Sequence, residues 1–226
     1  MSTASADYTA PSFLADFFRL NAWGMFAFSC VAHMVVLFIQ QQYIFTNEVY
    51  YNTLGEQLTI ERIDALLQLR QDWQWLSYVL IPAMLFIQVL LISICLSTGA
   101  ILFDYKIPFK NIFGVVVNAI TVYAIGKILL TFIIQFMDIR TMDDVLRADV
   151  FSLIGWVGKD ALPDWLLYPV SIANVFEVGF WLLLAGGMGY LLRRRWTTLI
   201  GFVAATYGIG LLLWVLFIVF LQLNLQ

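Results

Sequence analysis

Five long apolar runs leave this chain few ways to fold. They cover about 21–39, 75–103, 112–137, 166–192 and 197–221, with very few charges inside them. A helix needs about 20 apolar residues to cross a bilayer. The mean hydropathy of +0.87 and a charged fraction of only 12% point the same way, and they exclude a soluble globular domain. The expected fold is all-α: a polytopic membrane helix bundle with five transmembrane helices. Residues 21–226 form its single domain, and 1–20 form an amphipathic cytoplasmic tail.

Details at the span ends fit this reading. Pro82 and Pro169 fall in the first turns of the second and fourth spans, where a missing N–H matters least. Trp23, Trp73, Trp75, Trp165 and Trp196 stand near span ends, as interfacial anchors. The start of the chain lacks the charge and cleavage pattern of a signal peptide. Phe13, Leu14, Phe17 and Phe18 recur at helical spacing, so the tail is expected to lie along the membrane surface.

Orientation follows from the basic residues. Arg19, Lys106, Lys110 and the Arg193–Arg195 turn share one side, in short loops close to span ends, where positive charge weighs most. That places the N-terminus in the cytoplasm and the C-terminus outside, with acidic outer loops. Two outer segments read as amphipathic helices. Residues 59–72 follow Thr59 as N-cap and carry a stripe of Ile60, Ile63, Leu66 and Leu67. Residues 142–158 place Leu146, Val150, Leu153, Ile154 and Val157 on one face.

Two charges interrupt the apolar runs: Lys127 in the third and Glu177 in the fourth. A charge at the centre of a spanning helix costs about 2.5–3.5 kcal/mol on insertion scales. Counting about 1.5 Å per residue puts both near the bilayer centre, with His33 in the same layer. Polar side chains extend outward from each. Thr131 and Gln135 follow Lys127 at helical spacing, and Ser171 and Asn174 precede Glu177. The expectation is that Lys127 faces Glu177, either as an ion pair that fixes helix register or as an ion- or proton-coupled site in which Glu177 titrates; the alternative is a snorkelling Lys127 with no tie to Glu177. Small residues at Ala185/Gly189, Gly201/Ala205 and Ala204/Gly208 predict close packing of the last two spans.

Enzyme templates find little support. One histidine and two cysteines in apolar runs, Cys30 and Cys95, provide no zinc site. No phosphate-binding glycine loop and no nucleophile elbow occurs. Ser29 lies four residues before His33, but the first span holds no carboxylate to orient the imidazole. No cofactor is expected. Nucleic acid is excluded by the acidic outer face and the short inner loops.

The last two runs, LPDWLLYPVSIANVFEVGFWLLLAGGMGYLLRRRWTTLIGFVAATYGIGLLLWVLF, resemble the C-terminal hairpin of the bacterial Yip1-like membrane proteins. Both show an aromatic, polar-edged span, a small-residue segment, a basic turn and a last span that opens on small residues. The resemblance implies a non-enzymatic multi-pass protein of the bacterial cytoplasmic (inner) membrane. The expected function is that of a scaffold or accessory subunit, working with protein partners in a membrane transport or secretion complex. A small transporter using Lys127 and Glu177 is the second expectation, and an intramembrane enzyme the third.

Overall fold

The computed structural model describes residues 12–158 and 161–224, so the first eleven residues of the tail lie outside the described residues. In chain order the helices are α1 (Ser12–Phe18), α2 (Ala22–Ile39), α3 (Asn47–Leu54), α4 (Ile60–Asp72), α5 (Gln74–Leu102) and α6 (Phe109–Ile134), then α7 (Met142–Arg147), α8 (Leu153–Val157), α9 (Asp164–Ile172), α10 (Val175–Leu192), α11 (Trp196–Val203) and α12 (Ile209–Asn224). Two π-helical turns interrupt the regular winding. One, Gln40–Ile44, extends α2; the other, Ala204–Gly208, joins α11 to α12. Among the described residues five continuous helical stretches are long and apolar enough to cross a membrane: Ala22–Ile44, Gln74–Leu102, Phe109–Ile134, Val175–Leu192 and Trp196–Asn224. The five-span all-α fold expected from the hydropathy is the fold observed.

The chain divides into two compact units. The first runs to Ser29 and takes in Phe86–Tyr123 and everything from Glu177 onward. Its core is Leu96, Ile112, Val116, Phe180, Leu184, Met188 and Leu199, all essentially inaccessible. Helix α1 packs into this unit and does not lie free on a surface. Phe18 stacks on Tyr190 with ring centroids 6.3 Å apart, and Asn118 Nδ2 donates to the Phe17 carbonyl at 3.3 Å. Of the expected apolar stripe only Phe13 stays largely exposed, at 73%. The π turn at Ala204–Gly208 shifts the register of the last span. Gly201 and Ala205 are exposed, with open space beside Gly201, and this small-residue pair does not form the packed face predicted for it.

The second unit comprises Cys30–Leu85 and Ala124–Phe176. Ile44, Ile134 and Ala148 are buried at its centre against Phe45, Leu130, Ile139 and Val145. The expected outer helix over 142–158 is two short helices, α7 and α8, with a turn between them. Ile154 is buried, while Leu146, Val150, Leu153 and Val157 remain exposed, so the single amphipathic face is not realised. In the other outer segment Ile63 is buried but Ile60 is 69% exposed, and Thr59 caps α4 without a side-chain hydrogen bond. Helix α3, not anticipated, ties these segments together. Thr53 Oγ1 accepts from Met142 N at 2.9 Å, and Tyr51 OH donates to Asp64.

The fourth span departs most from expectation. It is broken: α9 ends at Ile172, Ala173 leaves helical geometry (φ −72°, ψ 82°), and α10 begins at Val175. Local chemistry explains the break. Pro169 removes one helical hydrogen bond and crowds the preceding turn. Ser171 Oγ donates to Tyr168 O at 2.8 Å, and Asn174 Nδ2 donates to the carbonyls of Ile172 (3.0 Å) and Ser171 (3.3 Å). The backbone groups released are taken up by the turn before α8. Leu153 N donates to Ala173 O at 3.1 Å, and Val175 N to Phe151 O at 3.0 Å. Phe176, just after the break, lies on Gly126 of α6, where a Cβ would come within 2.6 Å of its ring, and packs edge-on against Phe151.

Thr141 and Asp144 form a reciprocal cap at the start of α7. Hydrogen bonds from the Thr141 hydroxyl, the Thr141 N–H and the Arg140 N–H hold the Asp144 carboxyl below its usual range. A carboxyl depressed on folding contributes stability above its unfolded-state value and loses it as pH falls through the folded one. Amide protection factors in 142–147 are therefore expected to fall as pH drops below about 4, and Thr141→Ala is expected to cost about 1 kcal/mol of the same protection at neutral pH. Protection that ignores both changes would contradict the cap.

Candidate functional site

The break places Glu177 in the first turn of α10, not in the middle of a helix. A carboxylate there is favoured by the partial positive charge of the helix N-terminus. Its side chain is half-buried and held by three neutral aromatic donors of the first unit. Tyr123 OH of α6 donates to Oε2 at 2.6 Å. Trp181 Nε1, one turn further along α10, donates to Oε1 at 2.8 Å. Tyr207 OH, from the π turn of the last span, donates to Oε1 at 2.8 Å. Three of the roughly four lone-pair directions of the carboxylate are thereby filled.

The three donors are fixed by packing. Phe180, fully buried, lies between the two tyrosines, with centroids 4.9 Å from Tyr123 and 5.3 Å from Tyr207. The Trp181 and Tyr207 rings meet edge to face at 5.8 Å. Gly208 makes room for the indole: a Cβ there would come within 2.7 Å of Trp181 Cη2. The π turn matters because its extra residue rotates Tyr207 relative to a regular helix.

Glu177 belongs to the first unit and Lys127 to the second. Lys127 is exposed on α6 beside Ile125, Ile128 and Leu129, each 43–48% exposed. Seven residues, about 10 Å along the axis, separate it from the end of α6, a distance over which a lysine stem carries much of the way to an interface. Within the first unit, neutral donors take up the oxygens of Glu177.

The other predicted residues fall in the second unit. Thr131 is buried and accepts from Gln40 Nε2 at 3.0 Å. Gln135 lines an open cavity of about 640 Å³ with Asp138 and Tyr43. His33 is buried in α2. Asn174 closes the end of α9, as described. Ser29, in the first unit, is buried with its hydroxyl 3.4 Å from that of Thr121. A second open cavity, about 630 Å³, is polar and lined by Gln41, Gln68, Gln71, Gln74, Tyr51 and Asp64 among others. Among the described residues no group of three His, Cys, Asp or Glu is placed to hold a metal ion.

Sequence reasoning singled out Glu177 by its charge but missed Tyr123, Trp181 and Tyr207. Trp181 lies four residues after Glu177, the one spacing that signals a shared helix face. The tyrosines carry no such signal, since nothing in the sequence relates 123 or 207 to 177. No family model, no curated protein and no solved structure matches the chain.

If Lys127 balanced a buried carboxylate, removing it would cost about 3–5 kcal/mol. In the arrangement observed, Lys127→Met is expected to change unfolding stability in bicelles by no more than about 0.5 kcal/mol. A loss of several kcal/mol would restore the ion pair.

Proposed function

We propose that the chain is a small multi-pass subunit of a membrane transport system in which Glu177 takes up and releases a proton. The carrying observation is a carboxylate within an apolar span, at the start of a half-helix, held by neutral donors. Ionisable side chains inside spanning segments mark ion and proton pathways, and discontinuous helices place such groups at half-helix ends.

The donor set favours a proton over a metal cation. Trp181 Nε1 only donates, so Oε1 stays an acceptor in either state of the acid, and an N–H aimed at that oxygen repels a cation. A tyrosine hydroxyl both donates and accepts. When Oε2 takes a proton, the 2.6 Å contact to Tyr123 reverses direction and survives. A proton on Oε2 would therefore keep a hydrogen-bond partner, the Tyr123 oxygen.

A second reading, a scaffold or accessory subunit that works through protein partners, is supported by the short helices α3, α4, α7 and α8 and the polar cavity beside them. The arginine turn supports a cytoplasmic N-terminus, and the hairpin's resemblance supports a bacterial inner membrane.

Infrared difference spectra of the protein in lipid, recorded across pH, test the proton site without knowledge of a transported solute. A protonated-carboxyl band that grows as pH falls is expected, absent in Glu177→Gln and displaced in frequency in Tyr123→Phe. Spectra in which Glu177→Gln removes no titrating carboxyl band would overturn the proton role and leave the scaffold reading. Monodisperse elution of both variants shows that the comparison is between folded proteins.

A further inference from the structure

We propose that the joined ends of α5 and α10 form a binding site for the headgroup of an anionic phospholipid. The two helices end in the same way. Each closes with a hydrogen bond from an N–H just past the helix back to the carbonyl five residues earlier: Tyr105 N to Ala100 O at 2.7 Å, and Arg194 N to Gly189 O at 3.0 Å. In each, the residue before that donor is left-handed, a position that normally takes glycine. Here it is Asp104 (φ 55°) and Arg193 (φ 51°).

The twin caps bring their next residues together. The Arg194 guanidinium lies over the Tyr105 ring, 5.4 Å from its centroid. Tyr105 is itself wedged against Phe103 and Phe202, at 6.1 and 5.5 Å. Two loops nearly ninety residues apart in sequence thus present one surface. Its exposed cations are Lys106, Arg193, Arg194 and Arg195, with Lys110 in the next turn. Across 101–110 and 193–198 the sole carboxylate is Asp104. The first turn of α11 adds backbone N–H groups, since Arg195 caps it without a side-chain bond. A cluster of this kind at the end of a spanning hairpin fits a phosphate.

The apolar surroundings select a lipid over a free anion. Ile101 and Leu102 are 78% and 79% exposed at the end of α5, and Phe103 is 51% exposed. A phosphate on the arginines therefore has a greasy surface beside it for its acyl chain. An inorganic anion would gain nothing from these three side chains.

The test is a thermal melt of the purified full chain in detergent, titrated separately with phosphatidylglycerol, phosphatidylcholine and inorganic phosphate. Phosphatidylglycerol is expected to raise the melting temperature saturably, and the other two are not. Arg193→Gly puts glycine where the backbone is left-handed, so it should keep or raise the basal melting temperature while weakening the lipid effect. Affinity for phosphatidylglycerol should fall about five-fold for each cation removed. Tyr105→Leu retains every charge but frees Arg194, and should also weaken the anionic lipid selectively. Equal shifts with phosphatidylcholine, an equal shift with inorganic phosphate, or undiminished selectivity in Arg193→Gly combined with Arg194→Gln and Arg195→Gln would each overturn the proposal.

Discussion

A carboxylate in an apolar span has to be surrounded by donors, and the packing of the first unit follows from meeting that requirement. Water is absent from the hydrocarbon region, so each oxygen of Glu177 needs a partner from the protein. The partners come from three separate stretches: Tyr123 from α6, Trp181 from α10 itself and Tyr207 from the last span. Hydrogen bonds to a charged group contribute about 1.5–3 kcal/mol each. Phe180 fills the space between the tyrosines, and Gly208 admits the indole, so the apolar contacts serve the same geometry.

Irregular backbone recurs wherever polar side chains are needed. The π turn at Ala204–Gly208 carries Tyr207, and the one at Gln40–Ile44 carries Gln40 and Gln41. Gln40 donates to Thr131, and Gln41 accepts from Gln74 and Tyr78 at 2.5 and 2.9 Å. The break before α10 is larger and is stabilised by Ser171, Asn174 and the 151–153 turn, which restore the lost backbone bonds. Each irregularity leaves its own polar groups satisfied, the condition under which a membrane segment tolerates departure from a helix.

What could be read from the sequence depended on how local the physics is. Hydropathy is a property of contiguous residues, so the five spans were legible to within a few residues at most ends. Helices α5 and α10 end without a glycine in the left-handed position, so the twin caps carried no usual signal. Ser171 and Asn174 were noticed, but as a polar stripe along a continuous helix. Their side chains bond to nearby carbonyls, and with Pro169 that choice ends the helix. Lys127 and Glu177 stood out because charge is conspicuous in an apolar run, and opposite sign made them look like partners. The donors that hold Glu177 in the first unit are aromatic, and a tyrosine or tryptophan in a membrane span is unremarkable until the fold shows what its polar atom touches.

The account stands or falls on the tie between Glu177 and its aromatic donors. A double-mutant cycle of Glu177→Gln and Tyr207→Phe, read by reversible unfolding in bicelles, measures one such tie directly. Direct bonding predicts a coupling energy of at least about 1 kcal/mol between the two positions. Strictly additive effects would mean that the hydroxyl and the carboxylate do not meet, and the site described around Glu177 would have to be abandoned.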